Sequence, residues 1–540
     1  MWYLDKILTR IPQVLSQVDR EPFSVTYGCG DRVYWCWKFT DFPGARFQEY
    51  IYTLSWLYNA NGFDNPWKDN GNILSLVEAG FNYWGKVQYK DGSFDEAYPG
   101  EHSLAATAFT VFYLSEGYML LEKSLQPSVR NNFLRILDKA AAWLNVNDER
   151  HGILSNHLAA AAAGSYNAGL ILGNDKYIER SWYFVNRIYS HQSEEGWFEE
   201  YGGADIGYQT HGSFYLARLW QKSGNSGLLE SLKRANKFLS FFIHPDGSIG
   251  GEYASRNTMF YFPAAFEILY EKCPAAAVIA DFQREKASKG EVVGIEQMDA
   301  HNLFPVLNNY IFAFENYLSR RSEKHPENLL PFKTKGEWEF PQAGLVVKSS
   351  DYFYAIIGGK KGGVIRIWDK LTNTLSFQSC GYVTQLSNKW YSNQTQGLSN
   401  YKFYNNKIKV EAPFAAINQK LFNPWLFIMF RLFTLTLGRI PSFSYWIKNL
   451  LVKVLVKRKL QATLMLFRLI QFSDDEIIIE DKLSSDSCKV SHIDKFSTIH
   501  MGSSRYIHQQ EEQIRGGKYN KAKCIFDKNG ILKKCEVKFL

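Results

Sequence analysis

The chain of 540 residues has only seven cysteines, an odd number, and none of them forms a Cys-x-x-Cys pair. Cys29, Cys36, Cys273, Cys380, Cys488, Cys524 and Cys535 are scattered, so the spacing indicates neither a zinc site nor a disulfide framework. Within 412–473 no uncharged run approaches the ~20 residues that a membrane-spanning helix needs. The N-terminus, MWYLDKILTRIPQVLSQVDREPF, lacks a cationic start, an apolar core and a small-residue cleavage site. It reads as an amphipathic helix, and cytoplasmic residence is the expectation. A net charge of +8 is small for this length and gives no reason to expect nucleic acid as a partner. Acidic residues are missing altogether from Ala412 to Ser473, where nine basic residues stand: Lys420, Arg431, Arg439, Lys448, Lys453, Lys457, Arg458, Lys459 and Arg468.

What is present belongs to a folded protein: 46% hydrophobic and 21% charged residues. The length implies two or more domains. Aromatic residues make up 16%, which suits core packing and equally suits stacking against sugar rings.

Six times in the first 320 residues a glycine- and aromatic-rich loop runs into a helix-like segment with a polar opening. The loops are 28–44, 90–100, 148–154, 194–207, 244–254 and 289–299, and the openings carry Arg46, His102, His157, His211, Asn257 and His301. Successive differences are 56, 55, 54, 46 and 44 residues. A period near 50 marks repeated supersecondary units, each too small to bury its own apolar face. Two helices and two loops fill such a unit. Six helical hairpins predict an (α/α)6 toroid, closed or incomplete, over 1–325, with the polar openings gathered at one end. Outer helices are expected near 3–17, 71–87, 127–145, 175–191, 225–242 and 275–287; segment 127–145 shows the apolar stripe most plainly.

After a polar stretch near 325–338 the pattern changes. FPQAGLVVKSSDYFYAIIGGKKGGVIRIWD (340–369), NNKIKVEA (405–412) and DDEIIIEDKLSS (474–485) alternate and carry β-branched runs, predicting an antiparallel β-sandwich over 338–540. Within it, 415–470 reads as a basic amphipathic insertion: LFNPWLFIMF, RLFTLTLG and YWIKNLLVKVLV are strongly apolar. Such a segment suits an anionic membrane surface through 421–459, or else a helical hairpin covering the sandwich. A peripheral place at the inner membrane therefore joins the cytoplasmic expectation.

The tandem SNHLAAAAAGSYNAGLILGNDKY (155–177) and EGWFEEYGGADIGYQTHGSFYLARL (195–219) resembles the heparinase II/III-like and oligoalginate-lyase families of polysaccharide lyases. FPQAGLVVKSSDYFYAIIG is similar to the start of their β-sandwich domain. The resemblance implies a toroid plus sandwich and β-elimination on a glycan containing uronic acids, with no cofactor. Elimination needs a group that binds the uronate carboxylate while charge builds up beside it, and a base for the weakly acidic neighbouring proton. By resemblance Asn156 matches the neutralising position and Tyr208 the catalytic tyrosine. His211, three residues on and on the same helical face, is a candidate base or orienting group. Tyr201 is a fallback. Arg46 and Arg256 are candidates to hold substrate carboxylates, His157 and His102 weaker ones, and Glu200 resembles a family glutamate near the site. The plainer reading makes these residues caps and loop ties; Asn156 is a good capping type.

One departure stands out. The families' early sandwich strands carry a His-x-His-type motif, whereas 362–381 here contains no histidine. Two other readings stay open. A glycoside hydrolase would use two carboxylates from Asp91, Asp95, Glu96, Glu101, Glu199, Glu200 and Asp205. A non-catalytic, membrane-associated glycan-binding or assembly factor would need neither.

Overall fold

A computed structural model describes residues 2–149, 152–320, 329–417, 421–440, 461–485, 487–495 and 521–539, with Phe443, Trp446, Ile447 and Tyr506 between them. The helical part alternates outer and inner helices. The outer ones are α1 (Trp2–Gln17), α3 (Gly71–Val87), α5 (Pro127–Val146), α7 (Asp175–Tyr189), α9 (Ser226–Ser240) and α11 (Pro274–Ser288). The inner ones are α2 (Tyr50–Asn59), α4 (Leu104–Leu121), α6 (Ser155–Leu172), α8 (Ile206–Ser223), α10 (Ala264–Ile268) and α12 (Ala300–Ser319). Each inner helix touches the next, and α12 returns to α2, so the toroid is closed. At that seam Tyr52 stacks on Phe312 at 4.5 Å, and Thr53 donates to Asn308 Oδ1 at 2.6 Å. Asn308 Nδ2 in turn donates to the Glu49 carbonyl at 2.9 Å.

The sequence period has a structural cause. Gly92, Gly196 and Gly247 occupy the same turn in three repeats, with φ of 99°, 103° and 91°. A Cβ at Gly92 or Gly196 would meet a backbone carbonyl of the neighbouring outer helix, Lys139 or Arg234. Only glycine lets the loop cross that close. The inner helices are buried on nearly all sides. One of them, α4, is long and apolar enough to cross a membrane by length and composition, and it lies in the ring's core.

The fifth repeat departs from the expected pattern. Its inner helix is only five residues long and begins at Ala264, so Arg256 and Asn257 sit in a loop, not at a helix mouth. Before that helix the chain forms no regular element, with Phe260 bridging Val293. Pro263 and the aromatic run MFYF before it favour extended backbone over an early helical start.

The second half is two antiparallel sheets. Strands β1 (Gly336–Phe340), β2 (Leu345–Ser349), β3 (Phe353–Gly358), β4 (Val364–Asp369) and β5 (Thr374–Ser379) pair in sequence order. The larger sheet holds β6 (Tyr382–Leu386), β7 (Lys389–Ser392), β8 (Asn400–Tyr404), β9 (Lys407–Ala416), β10 (Gln461–Phe472), β11 (Glu476–Leu483), β12 (Ser491–His492), β13 (Ala522–Phe526) and β14 (Leu532–Lys538). The smaller sheet is buried on both faces. Phe353, Ala355, Ile357, Ile365 and Ile367 meet the larger sheet, while Tyr354, Ile356, Val364 and Trp368 join the toroid's core. The period of two along each strand thus builds a middle layer.

One expectation needs correction. Cys524 and Cys535, opposite one another on β13 and β14, form a disulfide, although their spacing gave no sign of one. Strand register, invisible in a count of intervening residues, brings them together. The insertion between β9 and β10 contains a helix, α13 (Pro424–Leu435); YWIKNLLVKVLV apart from Trp446 and Ile447, and Lys420, Lys448, Lys453, Lys457, Arg458 and Lys459, lie outside the described residues.

Candidate active site

A cavity of about 110 Å³ opens at the loop end of the ring, lined by Arg46, Glu96, Phe109, Asn156, His157, Tyr208, His211, Phe260, Phe262, Met298, Asn302, Pro305, Val306 and Tyr506. Five of the residues expected at the site, Arg46, Asn156, His157, Tyr208 and His211, therefore share one wall. A larger cleft of about 470 Å³ lies over the loops around 25–45 and 83–95, away from these residues. The smaller cavity carries the convergent chemistry.

Tyr208 and His211 come from the first two turns of α8, whose start is fixed by Asp205 accepting from the Tyr208 N–H at 3.0 Å. Arg256 lies against the Tyr208 ring, its guanidinium carbon 4.2 Å from the centroid. That arginine is buried and its charge is already engaged: Nε donates to Asp205 at 2.5 Å and Nη2 to Glu200 at 3.2 Å. It is not among the residues lining the cavity, and it holds Asp205, Glu200 and the tyrosine face in place. Burial works against its charge, but the two carboxylates outweigh that and keep it firmly cationic.

Asn156 is buried at the second position of α6 and does not cap that helix. Its Nδ2 donates to both oxygens of Glu200, at 2.8 and 2.9 Å, and its backbone N–H to Oε1 at 2.7 Å. Glu200 is thus a fixed partner of Asn156 and Arg256 and is not among the residues lining the cavity. Burial raises its pKa in spite of Arg256 and Asn156. Because the amide nitrogen is taken, Asn156 has only Oδ1 left, and that buried oxygen has no hydrogen-bond partner among the described residues. An unpaired buried acceptor on a cavity wall favours an incoming donor.

His211 is clamped between Phe262, stacked at 4.2 Å, and Phe109 at 5.5 Å. Its Nε2 lies 3.0 Å from the Tyr215 hydroxyl, which donates to Tyr113 at 3.3 Å, which donates to the Pro305 carbonyl at 3.4 Å. A carbonyl can only accept, so the chain has one direction and Nε2 carries the proton. Burial, then the charges of Arg46 and His157, push the His211 pKa well below its ordinary value. The imidazole is neutral with its lone pair on Nδ1, the form a general base requires. His157 is oriented differently: its Nδ1 lies 2.9 Å from Glu149 Oε2.

Arg46 is the cavity's cation. Nε donates to Glu49 at 2.9 Å and Nη1 to Glu96 at 3.1 Å, with the guanidinium over Phe109 at 4.6 Å. Burial opposes its charge, yet the two glutamates keep it protonated. Burial also pushes Glu49 up to about 7 against the pull of Arg46.

The remaining expectations fall elsewhere. His102 sits in its loop at φ 49°, bonded to Ser93 and paired with Asp91, and does not reach the cavity. Tyr201 is at φ 54° with the Arg256 guanidinium 5.2 Å from its ring and is not on the cavity wall. Asn257 and His301 also stay off the wall. Of the carboxylates considered for hydrolysis, Glu96 alone lines the cavity among the described residues. Asp95 accepts from Tyr89, Gly100 and His102, and Glu101 from Glu96 and Ala97, all ties within one loop. No cluster of three or more potential metal ligands occurs among the described residues.

One lining residue had no sequence signal. Tyr506 comes from the stretch between β12 and β13 and reaches α12, where Asn302 donates to its hydroxyl at 2.7 Å. Among the described residues it is the side chain that the second half of the chain brings to the cavity, and the missing histidine motif gave no hint of it.

Residues 35–262 match the family described as Ulvan lyase N-terminal domain. That match covers the ring from the first loop through Tyr208, His211 and Phe262. Among solved structures, the fold is similar to a chondroitin AC lyase of Streptomyces coelicolor A3 in complex with chondroitin sulphate: 12% identity, TM-score 0.55, covering 89% of this chain and 66% of that one. The chain thus spans just under two thirds of that enzyme's length. A heparan sulfate lyase from Pedobacter heparinus aligns at 9% identity and TM-score 0.43, over 89% of this chain and 68% of that one. No curated protein matches. The family match thus lies within the helical ring, and the chondroitin AC lyase shares the fold.

Proposed function

We propose that the chain cleaves an acidic, uronate-containing polysaccharide by β-elimination. The observation that carries this reading is the convergence of Asn156, Tyr208, His211 and Arg46 on one cavity. Arg46 attracts the anionic sugar. Asn156 Oδ1 accepts a hydrogen bond from the uronate in its protonated form, which favours the neutral acid and makes the adjacent carbon acid stronger. The C–H bond then breaks toward His211 Nδ1 or the Tyr208 oxygen. Its electron pair forms the new C=C bond as the glycosidic C–O bond breaks, and the departing oxygen takes a proton from Tyr208. The fixed cation of Arg256 against the tyrosine ring supports negative charge passing through the phenol oxygen. Hydrolysis is the less favoured reading, because the cavity wall presents one glutamate where two separated carboxylates are needed.

Ultraviolet absorbance of the unsaturated uronate, followed on acidic oligosaccharides, tests the proposal. New reducing ends without that absorbance would replace elimination by hydrolysis, and retention of glycan without cleavage would favour the binding or assembly reading. The setting in the cytoplasm at the inner-membrane face is likewise a proposal; the Cys524–Cys535 bridge is the observation against it, since such bridges are rare in reducing compartments. Thiol alkylation of protein taken straight from its native cell decides: alkylated Cys524 and Cys535 support the cytoplasm, blocked ones remove it.

A further inference from the structure

The insertion helix α13 is built to be a helix, and one of its sides is left exposed among the described residues. Asn423 caps it, accepting from the Leu426 N–H at 2.8 Å, and Pro424 opens it. One side is seated on the ring: Phe430 meets Tyr98 edge-on at 5.1 Å, Arg431 pairs with Asp41 at 3.0 Å, and Thr434 is buried. The other side is a stripe of large apolar side chains at helical spacing. Trp425 is 76% exposed, Met429 67% and Leu432 59%, with Ile428 and Leu435 between and beyond them. The loop carrying Asp41 adds the exposed Trp37 and Phe39. A soluble surface seldom leaves so much contiguous apolar area open.

We propose that this face docks on an anionic lipid bilayer. At twelve residues, roughly 18 Å long, α13 is too short to cross a bilayer and can lie only in its interface. The occupant's charge follows from the sequence of 421–459, which holds seven basic residues and no acidic one; of these Arg431 is paired with Asp41, and Arg468 further on is buried against Asp481 and takes no part. That bias complements acidic headgroups, while tryptophan, phenylalanine and leucine enter the acyl boundary. Because α13 rests on the loops that carry Asp41 and Tyr98, next to Arg46 and Glu96, docking holds the cavity end of the ring at the lipid surface.

The test is flotation of the full chain with vesicles of phosphatidylcholine alone and of phosphatidylcholine with about a third phosphatidylglycerol. The expected result is flotation with the anionic vesicles and at least about tenfold weaker association with neutral ones. The double variant W425E/M429E should lose flotation while keeping the wild-type melting curve and any turnover of soluble glycan, since neither residue reaches the cavity. No wild-type flotation, equal binding to both vesicles, or unchanged binding of the variant overturns the proposal. So does a wild-type dimer that W425E/M429E makes monomeric, which would show a second copy to be the occupant. The assay uses no glycan, so its outcome stands apart from the lyase reading.

Discussion

At the scale of single residues, the account rests on Tyr208, His211 and the pair Asn156–Glu200. Replacing Tyr208 by Phe removes one oxygen and leaves the ring against Phe260 and Arg256. Turnover should fall by about 100-fold or more with stability within about 0.5 kcal/mol of wild type, read from initial rates and a denaturant melt. Glu200→Gln should cost nearly as much activity, because a neutral amide cannot hold both Asn156 donors and Arg256. Glu49 gives a pH signature. Its pKa rises from its ordinary 4.5 to about 7 in the folded ring, so between those values the folded state binds more protons than the unfolded one. Stability contributed by Glu49 is therefore present at low pH and lost as pH rises toward 7, by at most about 3 kcal/mol. His211 works the other way: it stays neutral when folded, so stability is lost as pH falls below the ordinary histidine range. Chemical denaturation across pH 5–8 should show Glu49→Gln removing the loss on the alkaline side, and an unchanged slope would dismiss the assignment.

At the scale of elements, most of the ring could be read in advance. The helical stripes of α3, α5 and α9 and the recurrent glycine turn fixed six hairpins, because a 50-residue period leaves few other ways to bury the apolar faces. The strands of the middle sheet were visible from alternation. The fifth inner helix was misjudged, since a polar opening at Asn257 looks the same whether a helix or an irregular aromatic run follows it. The partners of His102 and Arg256 were hidden for a related reason: sequence shows that a charge stands near a helix mouth but not which carboxylate already holds it. Tyr506 was illegible because its contact with Asn302 spans 204 residues. Closure of the ring makes its own prediction. Asn308→Ala strands the Thr53 hydroxyl and the Glu49 carbonyl, both buried, and should cost about 2–4 kcal/mol in a melt.

At the scale of the molecule, the middle sheet joins the sandwich to the ring. Trp368 is buried at that junction, donates to Asp246 at 2.8 Å and stacks on His244 at 4.0 Å, while Tyr354 donates to the Phe241 carbonyl at 2.5 Å. Trp368→Ala should cost about 3–5 kcal/mol and separate one calorimetric transition into two, one per domain. Tyr506, also from the second half of the chain, lines the cavity. What the whole arrangement is for comes down to one reaction. Wild-type protein and Tyr208→Phe should be incubated with a uronate-rich oligosaccharide while ultraviolet absorbance is followed. The account predicts that absorbance of the unsaturated product rises with the wild type alone; cleavage by the wild type without that rise, or an equal rise with Tyr208→Phe, would contradict it.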